Sequence, residues 1–141
     1  MLEEILEEAL AALAYAGVGI TLMVLGFVLV DVLTPGVLRH QIWADRNRNA
    51  SILLGSNLVG VAIIVVAAIS ASESGLGAGL TSTAIYGLLG LVVMGLAFLL
   101  LDALTPGKLG EMLSDREPHP AVWVSAAVHV AVGCVVGVAL L

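Results

Sequence analysis

A chain of 141 residues is one domain by length. With 60% hydrophobic residues, 11% charged residues and a mean hydropathy of +1.13, it lacks the polar cover, roughly a quarter charged, that a soluble core needs. The net charge of −6 excludes a basic footprint for nucleic acid, and the single cysteine, Cys134, excludes an intrachain disulfide. The solvent of most side chains is therefore lipid.

The chain opens with Leu2, Ile5, Leu6, Ala9, Leu10 and Leu13 on one helical face and Glu3, Glu4, Glu7 and Glu8 on the other. That period is an amphipathic helix. It is expected to run unbroken into the first apolar span, since an acidic leader without a cleavage site is not a signal peptide. About 20 apolar residues cross the hydrocarbon as a helix, and four stretches qualify, at 11–33, 50–69, 83–104 and 121–141. The fold class is thus all-α, a polytopic membrane protein with four transmembrane helices.

The first span ends in Asp31 and then Thr34-Pro35-Gly36. Proline biases the residue before it away from helix and glycine accepts the reversal, so the tripeptide is a helix stop. Two readings of Asp31 stand side by side. Near the membrane surface it is solvated, pairs with a loop arginine or hydrogen-bonds the chain reversal, or, as an acid in a span, it shares one bridging cation with Asp102 at the same depth in span three. An amphipathic stretch with Val37, Leu38, Ile42 and Trp43 follows, suited to the headgroup region. Span two carries Asn57 near mid-depth. The Gly-rich segment Ser74-Gly-Leu-Gly-Ala-Gly-Leu80 reads as a flexible external linker and lacks the lysine and strand of a P-loop. Span three ends in Asp102 and Thr105-Pro106-Gly107, followed by the amphipathic Leu109, Met112 and Leu113. Pro118-His119-Pro120 leads into span four. There Ser125, His129, Gly133 and Gly137 recur every four residues, and Gly133 with Gly137 forms a GxxxG pair, a face open to a second copy or to the other half of the same chain. His129 therefore faces protein, with Asn57 its expected partner across the interface. A structural bond and a proton-relay role are both open for it.

All five basic residues (Arg39, Arg46, Arg48, Lys108, Arg116) lie in the loops after spans one and three. The positive-inside bias places loops 34–49 and 105–120 in the cytoplasm and both termini outside.

A shift of 71 residues aligns the two halves without a gap: Tyr15 meets Tyr86, Gly19 meets Gly90, Phe27 meets Phe98 and Asp31 meets Asp102. From Tyr15 to Leu38, 12 of 24 positions are identical. The chain is therefore expected to be two tandem parallel two-helix repeats, 1–70 and 71–141, about a pseudo-two-fold axis along the membrane normal. The repeated Asp-x-Leu-Thr-Pro-Gly, the Asn49-Ala50 that opens span two and the length resemble the domain-of-unknown-function family 350, small bacterial inner-membrane proteins of the YjfL-like type. The resemblance covers nearly the whole chain. It implies a place in the bacterial inner membrane and a part in envelope maintenance, and it implies no activity. Within the family pattern Thr-Pro is steadier than the Asp.

No serine stands with a histidine and a carboxylate in a hydrolytic pattern, and His40 and His119 lack metal-ligand spacing, so neither catalysis nor a cofactor or metal is expected. Two functions compete. One is an oligomeric membrane scaffold, self-associating through its small-residue faces and presenting the two basic loops to a cytoplasmic protein or anionic lipid. The other is a small channel or transporter for a cation, a polyamine included, using Asp31 and Asp102. The orientation is tested by single cysteines in a Cys134→Ser background. Positions in the 70–82 loop should label from outside and positions 44–48 only from the cytoplasm, and labelling in the opposite sense inverts the topology.

Overall fold

The computed structural model describes residues 1–72 and 74–141, without the side chain of Ser114, and every element in it is helical. The order is α1 (Leu2–Leu33), α2 (Leu38–Trp43), α3 (Arg48–Ser70), α4 (Leu76–Leu104), α5 (Leu109–Ser114) and α6 (Ala121–Leu140). Helices α1, α3, α4 and α6 are long and apolar enough to cross a membrane. Helix is the form such segments must take, because hydrocarbon offers no partner to an open N–H or C=O.

The breaks fall where proline and glycine demand them. Thr34, before Pro35, is extended at φ −104°, ψ 132°, and Gly36 has φ +92°. Thr105, before Pro106, sits at φ −88°, ψ 128°, and Gly107 at φ +91°. The chain turns again after α2, where Arg46 takes a left-handed φ of 53° and Asn47 N donates to Gln41 O at 2.8 Å. Asn47 then caps α3, its side chain accepting from Ala50 N at 3.1 Å.

Two expectations need correction. The acidic leader does form one continuous helix with span one, but the Gly-rich segment is not a flexible linker. Of its residues only Ser74 and Gly75, the latter at φ +105°, lie outside the helix, and α4 already begins at Leu76. Glycine costs a helix about 1 kcal/mol relative to alanine, yet this turn continues into a long apolar helix and buries Gly79, which offsets that cost. Nor do α2 and α5 simply lie in the headgroup region. Leu38, Leu109 and Leu113 are fully buried and join Leu53, Phe98 and Val122 in a core at the loop end of the bundle, while Val37 and Trp43 stay exposed.

The GxxxG pair finds its partner inside the chain. Helix α3 packs against all five other helices and most extensively against α6. A Cβ on Gly133 would lie 2.7 Å from Gly60 Cα, and one on Gly60 would lie 2.5 Å from His129 O, so the two backbones touch. Gly137 packs on Ile63 and Ala67 of α3. Of the two uses open to this face, a second copy or the other half of the same chain, the structure shows the second. Small residues serve close approach of any two helices, and the first available partner here is α3. A second core lies on the other side of this contact, where Leu22, Val61, Ile64, Leu91 and Met94 meet.

Gly133→Ala should therefore lower stability by about 1–3 kcal/mol, because the added methyl meets backbone that cannot rotate away. Gly55, with nothing within 4 Å of its would-be Cβ, should accept alanine with no loss. Thermal unfolding of the two variants in detergent checks the contrast, and equal behaviour would refute the contact.

Candidate functional site

The two acids act locally. Asp31 Oδ1 accepts from Leu38 N at 2.7 Å, and Asp102 Oδ1 accepts from Gly110 N at a longer 3.4 Å. Each carboxylate thus ties the first turn of a short helix, α2 or α5, to the end of the span before it. A carboxylate with a backbone N–H partner is at home there without an ion. Among the described residues no hydrogen bond or ion pair joins Asp31 to Asp102. In the adjoining turns Thr105 Oγ1 donates to Leu101 O at 2.7 Å, while buried Thr34 Oγ1 makes no hydrogen bond. Gln41 Nε2 closes the first turn on Pro35 O at 2.9 Å. Pro35 in turn packs on Gly110 of α5, where a Cβ would lie 2.7 Å from its Cδ, so the two turns touch one another.

At mid-bundle Asn57 and His129 are both buried, but they are not partners. Asn57 Nδ2 donates to Gly26 O at 3.0 Å, joining α3 to α1. His129 Nδ1 lies 3.0 Å from Ser56 Oγ, which itself donates to Leu53 O at 2.9 Å, and its ring stacks on Phe98 with centroids 6.2 Å apart. Successive residues of a helix point about 100° apart. Ser56 therefore faces α6 while Asn57 faces α1, and a match of depth alone mistook one for the other. The bond between Ser56 Oγ and His129 Nδ1 joins α3 to α6. Ser125, one turn before His129 on the same face, is fully buried and its hydroxyl makes no hydrogen bond.

A set of polar residues that sequence reasoning passed over lies at the loop end. Asn49 is 1% exposed and uses both ends of its amide: Nδ2 donates to Asp115 O at 3.1 Å and to Glu117 O at 2.7 Å, and Oδ1 accepts from His119 N at 3.2 Å. Three backbone groups of the α5–α6 loop are thereby fastened to the first turn of α3. Beside it Asp45 Oδ1 receives Arg116 at 2.7 Å, and Asp45 Oδ2 lies 3.2 Å from His40 Nδ1. His119 Nδ1 accepts from Ala121 N at 3.1 Å and so caps α6. The two basic loops form one knit surface. The only signal for it was Asn49-Ala50, visible as part of a family pattern but not as a contact, because its partners lie 66 to 70 residues away.

Lys108 pairs with Glu111 at 3.4 Å in an exposed i,i+3 bridge, whereas Arg39, Arg46 and Arg48 make no ion pair among the described residues. No group of three or more His, Cys, Asp or Glu able to hold a metal occurs among the described residues.

Comparison with known proteins places this architecture. A family model described as Domain of Unknown Function (DUF350) matches residues 4–140. A UPF0719 transmembrane protein of Mycolicibacterium paratuberculosis is 36% identical over 139 residues, covering 99% of this chain and 92% of the relative. UPF0719 transmembrane proteins of Mycobacterium bovis and Mycobacterium tuberculosis are each 38% identical over 139 residues, covering 99% of this chain and 91% of the relative. No solved structure matches.

Asn49→Ala should cost about 3 kcal/mol, since it leaves two carbonyls and one N–H of the loop without their partner in a buried place. Arg116→Gln should cost under about 1 kcal/mol, because that bridge is 74% exposed at the arginine. Thermal unfolding gives both numbers, and hydrogen exchange of the His119 amide, which donates to Asn49 Oδ1, should rise in the first variant only.

Proposed function

The chain belongs to the DUF350 family, and from that premise we propose that it is an integral membrane scaffold, a closed helical module of the envelope that holds its partners in place and passes no solute. The observation that carries this reading is how its intramembrane polar groups are used. Asn57 and His129 each bond a neighbouring helix, and Asp31 and Asp102 each accept an amide of their own turn. A conduction path needs polar groups that are free to exchange partners with a passing ion. These four are occupied in holding the bundle together. The backbone contact of Gly60 and Gly133 further closes the seam between α3 and α6 at the level of His129.

The reading has α2 and α5, with loops 34–49 and 105–120, facing the cytoplasm of a bacterial inner membrane, where their basic residues favour an acidic partner or surface. Asp45 and Asn49 keep that surface rigid by joining the two loops, and a rigid platform loses less entropy on binding than a mobile one.

Thermal unfolding of Asp31→Asn, Asp102→Asn and the double variant, with and without Na⁺, Mg²⁺ or a polyamine, tests the proposal. Two separate caps should each lose about 1 kcal/mol, add in the double variant within about 0.5 kcal/mol, and show no cation response. A double variant no worse than either single one, with cation stabilisation lost from all three, would instead establish a shared cation site and a transport function.

A further inference from the structure

The α3–α6 contact brings the first turns of two long helices side by side at the loop end, and between them lies a groove of about 230 Å³. Arg48, Asn49 and His119 are the polar residues that line it, and Ile52, Val122 and Trp123 line it with apolar side chains. We propose that this groove is a binding site for one anionic phospholipid, with the phosphate at Arg48 and an acyl chain running down past Trp123.

Four observations converge on that ligand. Arg48 makes no ion pair among the described residues, although Asp45 lies three positions away, bonded to Arg116. It sits in the first turn of α3, where the positive end of the helix dipole disfavours a cation unless an anion is near. Neither α3 nor α6 has an acidic residue in its first turn, and no carboxylate is among the residues that line the groove. His119 adds a second donor: its Nδ1 accepts from Ala121 N, which leaves the ring proton on Nε2.

The apolar lining selects a lipid over free phosphate. Trp123 is 60% exposed and Val124 beside it is 54% exposed, so the apolar wall runs on into the lipid-facing side of α6. A soluble anion gains nothing from that wall, whereas an acyl chain covers it. The site does not depend on the scaffold reading, since a cation carrier would hold the same groove.

The full chain, purified in a neutral maltoside, is titrated with phosphatidylglycerol, with phosphatidylcholine and with inorganic phosphate, and retained lipid is read by native mass spectrometry. Phosphatidylglycerol should bind in a one-to-one step, at least fivefold tighter than phosphatidylcholine. Arg48→Gln should weaken it about fivefold, the worth of one basic group near such a headgroup, and Trp123→Ala should weaken both lipids. Arg39→Gln, which removes an unpaired arginine outside the groove, should leave binding unchanged. Equal losses from Arg39→Gln and Arg48→Gln would mean diffuse surface attraction and overturn the site. Displacement of phosphatidylglycerol by millimolar inorganic phosphate would overturn the lipid assignment, and no difference between the two lipids would overturn the proposal altogether.

Discussion

The backbones of α3 and α6 meet at Gly60 and Gly133, and most of what is particular to this protein follows from that approach. Lipid tails are as apolar as leucine, so helices in a membrane are held together by close packing and by polar bonds more than by removal from water. Two glycines facing each other bring one helix axis near enough for His129 to reach Ser56 and for Val122 to enter the core with Leu53. The same approach aligns the starts of α3 and α6 at one end, so that Asn49 reaches three backbone groups of the following loop. It also makes α3 the interior helix, with 50% of its apolar window buried against 22% for α1.

The polar residues of the interior are few, and Asn57 and His129 each bond a neighbouring helix. An interhelical bond in a membrane contributes about 0.6 to 2 kcal/mol, so Asn57 to Gly26 and His129 to Ser56 do more for register than for total stability. They fix which turn of α3 faces which turn of α1 and α6. The exceptions are Thr83 and Ser125, whose hydroxyls are fully buried and make no hydrogen bond. We have no physical account of either beyond their small volume at a helix contact.

At the loop end the problem is reversed, because there the chain must leave the helix twice and still satisfy its backbone. Asp31, Asp102, Asn47, Asn49 and His119 all solve this in one way, a side chain bonding a backbone amide or carbonyl of a nearby turn. The 71-residue repeat carries the Asp-Thr-Pro-Gly solution in both halves, with the capped amide displaced by one residue between them: Leu38 in one, Gly110 in the other. Asn47 and Asn49 have no such counterparts, since Pro118 and Pro120 stand at the shifted positions. The loops therefore do not mirror each other, and the groove beside Arg48 belongs to one side alone.

The sequence by itself determined that the chain is helical and membrane-embedded, where each span stops, and which family it resembles. Those properties are local: hydropathy over 20 residues, a proline and glycine at fixed positions, a motif repeated in register. It also marked Asn57, His129, Gly133 and Gly137 as facing protein, because polar and small residues at helical spacing are costly or wasteful against lipid. Which protein surface they face was beyond it. Depth along a span is readable from residue count, but rotation about the helix axis relative to a neighbour is not. So equal depth points to Asn57 as the partner of His129 although Ser56 holds that place, and spacing alone leaves the glycine face open between a second copy and the α3 that covers it. The joining of the two loops through Asn49 was equally out of reach, because its bonds span 66 to 70 residues and depend on where two helix starts come to lie. Only the packing of α3 on α6 decided that, and van der Waals fit between distant segments leaves no periodic trace in either of them.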